Sequence, residues 1–113
     1  MNRRVADEEE LQTLLHHAPM VVLYFSTPDC AVCQVLKPRV SVLLAGEFPH
    51  VEFAEVDCVA TPTLAAQHQV FSVPVVLLFL QGHESMRWVR TFHLAELREH
   101  LARPYSLLFG EEA

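Results

Sequence analysis

Apolar residues recur along this chain with two different spacings, and the spacings divide it into elements. Leu11, Leu14 and Leu15 fall on one face of a short helix. Asp7 is placed to cap that helix, Glu10 completes a capping-box pattern, and Pro19 ends the segment. Val21 to Phe25 is a continuous apolar run of strand-forming residues, which predicts a strand buried on both faces. Ser26-Thr27-Pro28-Asp29 has turn chemistry. From Ala31 the pattern becomes helical, with Val32, Val35, Leu36, Val40, Leu43 and Leu44 three or four apart. Val51 to Val56 reads as a second strand. A short helix is expected from about 62 to 68, with Thr61 as its cap. Val75 to Leu80 is a third buried strand, Gln81-Gly82-His83 a hairpin turn, and Glu84 to Thr91 its return strand. Leu94, Leu97 and Leu101 mark a terminal helix that should stop before Pro104.

Strands alternating with helices imply parallel pairing with helices on both faces, and the last hairpin adds antiparallel pairing. The expected fold class is therefore α/β, with a mixed central sheet flanked by helices in three layers. The 113 residues give room for one domain, 1–113. Half of the residues are apolar (51%), enough for a packed core and too many for a disordered chain. The longest apolar run, Val73 to Leu80, is far too short to span a bilayer and contains a proline. Arg3-Arg4 leads into the acidic Asp7 to Glu10, where a secretory leader would need an apolar stretch. A cytoplasmic protein is the expectation. The net charge of −6 disfavours nucleic acid, which requires a basic surface. The seven histidines are scattered, and the adjacent pair His16-His17 would point about 100° apart on a helix, so no metal is expected there.

Cys30-Ala31-Val32-Cys33 lies where a buried strand hands over to a helix. Cysteines at that spacing can close a small disulfide ring. A helix N-terminus stabilises an anion, so the first sulfur there becomes a thiolate more readily. One sulfur can then attack a disulfide while the other, a turn further in, resolves the product. Two other readings stay open at this point: chance spacing, and half of a zinc site completed by Cys58 and a histidine.

Val21 to Cys33 resembles the active-site strand and loop of the thioredoxin family. Pro38, five residues after the second cysteine, is similar to the proline inside that family's active-site helix. Val73-Pro74 resembles the family's cis-proline loop, and Phe79, Gly82 and Asp57 match further positions, so the resemblance runs from about residue 5 to 102. It implies the thioredoxin fold, with Cys30 as the attacking thiol and Cys33 as the resolving one. It also implies that Asp29, Val73 and Pro74 face the substrate, that Ala31, Val32 and Pro38 support the site, and that Val73-Pro74 is cis. By itself, a proline at a strand start reads as an ordinary trans proline. The implied activity is thiol–disulfide exchange on protein disulfides, with no bound cofactor and with a thioredoxin-reductase-type enzyme as a partner. Neither nucleic acid nor membrane is an expected partner, and a monomer is expected.

The chain also departs from the pattern. Asp29 stands where the family carries tryptophan, and Ala31-Val32 separates the cysteines in place of Gly-Pro. Tyr24 aligns with a buried acid that assists the resolving cysteine, and that acid's lysine partner would fall near Phe53. The proton relay is therefore expected to be missing, so that either water or Glu55 takes its place or turnover is slower. Arg90 falls near a family glycine, which with Asp29 makes the rim around Cys30 more polar and its choice of partner narrower. Cys58 reads as a half-buried free thiol, or as a regulatory one. The alternative to an enzyme is a thioredoxin-fold docking module with little redox turnover.

Overall fold

The computed structural model describes residues 2–90 and 92–110. Nine elements follow one another: β1 (Asn2–Arg4), α1 (Glu8–His17), β2 (Met20–Ser26), α2 (Ala31–Glu47), β3 (Glu52–Asp57), α3 (Pro62–Gln67), β4 (Val75–Leu80), β5 (His83–Val89) and α4 (Leu94–Phe109). The strands form one five-stranded sheet in the order β1-β3-β2-β4-β5. β1, β3 and β2 run parallel, whereas β4 is antiparallel to β2 and β5 antiparallel to β4. This is the mixed sheet expected, extended by an edge strand that the apolar pattern does not signal. β1 has the sequence Asn-Arg-Arg, and polar residues are common on edge strands because water covers one side of them.

β2 lies at the centre of the sheet, and all seven of its residues are buried. Alternation along the strands sorts the core into two halves. On one face Val21, Leu23 and Phe25 pack with Leu77 and Phe79 of β4, Leu11 and Leu15 of α1, and Leu64 of α3. On the other, Met20, Val22 and Tyr24 pack with Leu78, Val40 and Leu44 of α2, and Leu97 and Leu101 of α4. Trp88 of β5 joins the second half, with its ring centroid 5.7 Å from that of Phe92. Three layers result, and no helix among the described residues is long and apolar enough to cross a membrane.

Caps and turns set the element ends. The Asp7 carboxylate accepts the Glu10 amide hydrogen at the start of α1, and Glu10 in turn accepts that of Ala6. Thr61 does not cap α3 through its side chain; its hydroxyl donates instead to the Asp57 carbonyl. The β4–β5 hairpin turns on Gln81 and Gly82, both at positive φ (53° and 83°), as a two-residue turn requires.

α4 does not stop before Pro104 but runs through it to Phe109. The proline costs one hydrogen bond to the His100 carbonyl. Packing beyond it compensates. Tyr105 is buried, its ring lies 5.2 Å from Phe48 and 4.8 Å from Phe109, and its hydroxyl accepts the His50 amide hydrogen at 3.0 Å. The apolar tail thus folds back onto the sheet side it came from. Leu101→Ala should cost about 2–5 kcal/mol of stability by denaturant titration. The same truncation at exposed Leu107 should stay within about 0.5 kcal/mol.

Candidate active site

The Cys30–Cys33 pair sits at the junction of the central strand and the longest helix. β2 ends at Ser26, the Cys30 amide donates to the Thr27 carbonyl across a tight turn, and α2 starts at Ala31. Cys30 is the N-cap residue of α2. Its sulfur occupies the place where a serine or aspartate oxygen usually sits, and it accepts the Cys33 amide hydrogen at 3.2 Å. The two cysteines are joined as a disulfide, with their Cα atoms 5.3 Å apart. Cys30 is half-buried, whereas Cys33 is 0% exposed. A reagent in solution can therefore reach the first sulfur and not the second.

The loop before β4 borders the pair. Continuing the β2–β4 register past Phe25↔Val75 brings Thr27 beside Val73. Val73 and Cys30 pack against the same half of the core as Cys33. The Val73-Pro74 peptide is cis, and Pro74 is buried. Asp29 is exposed beside Cys30, and its carboxylate accepts the Thr27 hydroxyl. Ala31 and Val32 are exposed on the first turn of α2. Pro38 lies further along the same helix, five residues or about 7.5 Å past Cys33, against a groove that it shares with Leu94 and Arg98. So Asp29, Cys30, Ala31, Val32, Cys33, Val73 and Pro74 come together, and Pro38 stands apart from them.

Beneath Cys33 lies Tyr24, with Glu55, one of the expected substitutes for the missing acid, beside it. The Tyr24 hydroxyl donates to the Cys33 carbonyl at 2.8 Å. The position across the parallel β2–β3 ladder from Tyr24 is held by Glu55, not Phe53. Glu55 is almost wholly buried, and its carboxylate meets the ammonium of Lys37, the only lysine of the chain, at 2.6 Å. Arg4 approaches Glu55 at 3.9 Å and Asp57 at 3.7 Å. An acid with a lysine partner is thus present, one strand over from where the alignment puts it. A polar recess of about 320 Å³, lined among others by Gln34, Lys37 and Glu55, leads from this pair to solvent. Burial, and then the Glu55 charge, hold the Tyr24 phenol well above its ordinary range.

Cys58 does not join the pair. It is half-buried against the opposite half of the core, and its amide donates to the Ser26 carbonyl. Burial and the neighbouring Asp57 push its thiol up from the ordinary 9.0, against a smaller lowering by the Ser26 backbone. Among the described residues no three His, Cys, Asp or Glu side chains converge as metal ligands would.

Comparison with known proteins decides the family. Residues 3–103 match the family model described as Thioredoxin. The chain belongs to the thioredoxin family. It is 35% identical over 89 residues to the thioredoxin-like protein YdfQ of Bacillus subtilis, a match that covers 79% of each chain. It is 39% identical over 70 residues to thioredoxin of Chlamydia trachomatis, covering 62% of this chain and 68% of that one. Among solved structures, thioredoxin of Fasciola hepatica superposes with a TM-score of 0.80 at 29% identity, covering 89% of this chain and 97% of the other. As a thioredoxin-family chain with both cysteines of its pair in place, it is a thiol–disulfide oxidoreductase.

Two weak acids, Cys58 and Tyr24, have pKa values raised by the fold. Each therefore contributes stability that is fully present below its unfolded pKa and is lost as pH rises through the folded one. Stability should be flat through neutral pH and fall above about pH 9, first through Cys58 and then through Tyr24. Urea titrations from pH 7 to 10.5 should show that Cys58→Ser removes the early part of the fall and Tyr24→Phe the later part.

Proposed function

We propose that this thioredoxin-family protein reduces protein disulfides by cycling Cys30 and Cys33 between dithiol and disulfide. The observation that carries the reading is the division of labour between the two sulfurs. Cys30 caps a helix N-terminus and is reachable, whereas Cys33 is sealed beneath it. In the reduced protein a thiolate at Cys30 keeps the Cys33 amide as a donor and faces the positive end of the helix dipole, two effects that favour the anion.

In the proposed cycle the Cys30 thiolate attacks one sulfur of a client disulfide. That S–S bond breaks, the far client sulfur leaves as a thiolate and takes a proton, and a mixed disulfide joins Cys30 to the client. Cys33 then loses its proton and attacks the Cys30 sulfur. The Cys30–Cys33 bond forms, and the second client sulfur leaves and is protonated. Two electrons and two protons have passed to the client. A thioredoxin-reductase-type enzyme would return the same number. The setting proposed is the cytoplasm, where reducing conditions keep such a dithiol loaded.

Resolution needs an acceptor for the Cys33 proton in a place that solvent does not reach. Glu55 is the carboxylate beside Tyr24, and the recess along Gln34 and Lys37 admits water between it and the helix. The reading assigns the proton to Glu55 through that water, with Lys37 holding the carboxylate in place.

With a disulfide-bonded protein such as insulin, Cys33→Ser should trap a mixed disulfide on Cys30 that mass spectrometry detects, and Cys30→Ser should trap none. Glu55→Gln should leave formation of the mixed disulfide unchanged and slow its release by about tenfold or more. Failure of Cys33→Ser to trap any client would leave a docking domain as the better description.

A further inference from the structure

Arg90 directly follows β5, and its amide donates to the Pro74 carbonyl at 2.7 Å. That bond fixes the root of the side chain next to the Val73-Pro74 loop. The backbone there is left-handed (φ 70°), a conformation that glycine adopts freely and arginine rarely does. A long charged side chain at such a place is the kind of backbone outlier that calls for a functional account.

Its surroundings supply one. Arg3, Arg4, Arg87 and Arg98 each meet a carboxylate within the protein, whereas Arg39, Arg90 and Arg103 do not among the described residues, and of these three Arg90 is the one bonded to the Val73-Pro74 loop. Arg90 is exposed and makes no ion pair among the described residues. Next to Cys30 stands Asp29, also exposed, whose carboxylate accepts a neutral hydroxyl and meets no cation among the described residues. The two do not pair with each other. A segment whose cysteine reaches Cys30 while its backbone lies along Val73 would therefore pass an unpaired cation rooted beside Pro74 and an unpaired anion beside Cys30. The protein as a whole carries −6, so its overall field disfavours an acidic segment, and Arg90 supplies a local attraction beside the Val73-Pro74 loop.

We propose that Arg90 and Asp29 select clients by charge. The favoured client carries an acidic side chain on the flank of its disulfide cysteine that meets Arg90, and Asp29 rejects an acidic side chain on the opposite flank. This rests on the disulfide-reductase reading above and narrows its substrate class. Rim charges of this sort act on encounter and register more than on chemistry, so the effect belongs in kcat/KM and weakens with salt.

The test uses a set of disulfide-bonded peptides that differ only by Glu, Gln or Lys at each of the two positions on either side of the cysteine. The wild-type protein should favour Glu over Lys at one flank by about three- to fivefold in kcat/KM, with less preference in 1 M salt. Arg90→Gln should abolish the preference and Arg90→Glu reverse it. Arg90→Gly, which suits the backbone, should abolish it without loss of stability. Asp29→Asn should remove the penalty for Glu at the opposite flank. Equal rates on all peptides, or the same ranking in Arg90→Glu as in wild type, would overturn the charge selection while leaving the reductase intact. Failure of the wild-type protein to reduce even a small disulfide such as lipoamide would overturn the reductase reading, and the charge selection with it.

Discussion

The burial of β2 on both faces is the constraint on which the site depends. A strand with no exposed residue cannot shift register or tilt without disturbing both halves of the core. Its end is therefore a fixed point in space. Cys30 follows that point after one tight turn, and the antiparallel pairing of β2 with β4 brings Val73 and Pro74 to the same edge of the sheet. The chemistry needs two sulfurs and a docking backbone held in constant relation, and one strand shared by both pairings supplies it.

Burial also separates the roles of the two cysteines. A thiol at a helix N-cap gains an amide donor and the helix dipole, and half-burial leaves it open to attack by or on a partner. A thiol one turn further in loses solvent and with it a ready acceptor for its proton. The ion pair of Glu55 and Lys37 answers that second condition. Two opposite charges are costly to bury singly but tolerable as a pair that borders an open recess, so the acid can lie beside Tyr24 without unfolding the strand that carries it.

Much of this was legible in the sequence, where local pattern and tertiary contact agree. β2, β4 and α1 follow from runs and spacings of apolar residues because each buries a continuous face or stripe; α2 follows from its spacing too, but Val32 and Val35 at its start are exposed next to the cysteines and only Val40, Leu43 and Leu44 of that stripe are buried. The disulfide site follows from two cysteines three apart at a strand-to-helix junction, read together with the resemblance carried by Pro74 and Gly82. What was not legible depends on residues far apart in the chain. β1 is three polar residues whose pairing is supplied wholly by β3. α4 passes Pro104 because Tyr105 finds Phe48 and His50, some fifty residues earlier. Glu55 was named as a substitute acid, but its lysine partner was sought near Phe53 of the same strand, whereas it is Lys37, eighteen residues earlier on α2. The single lysine of the chain was the available hint, since a lone Lys37 on a mostly apolar helix invites a search for its carboxylate.

The central claim is that Cys30 and Cys33 form one reversible two-electron couple that excludes Cys58. Its most direct test is equilibration of the protein in glutathione buffers of graded potential, with acid quenching and mass-spectrometric counting of alkylated thiols at each residue. The account predicts one two-electron transition, near the roughly −270 mV of reducing members of this family, in which Cys30 and Cys33 change together. Cys58 should stay a free thiol throughout. Absence of a reversible transition, or a transition in which Cys58 pairs with either cysteine, would contradict it.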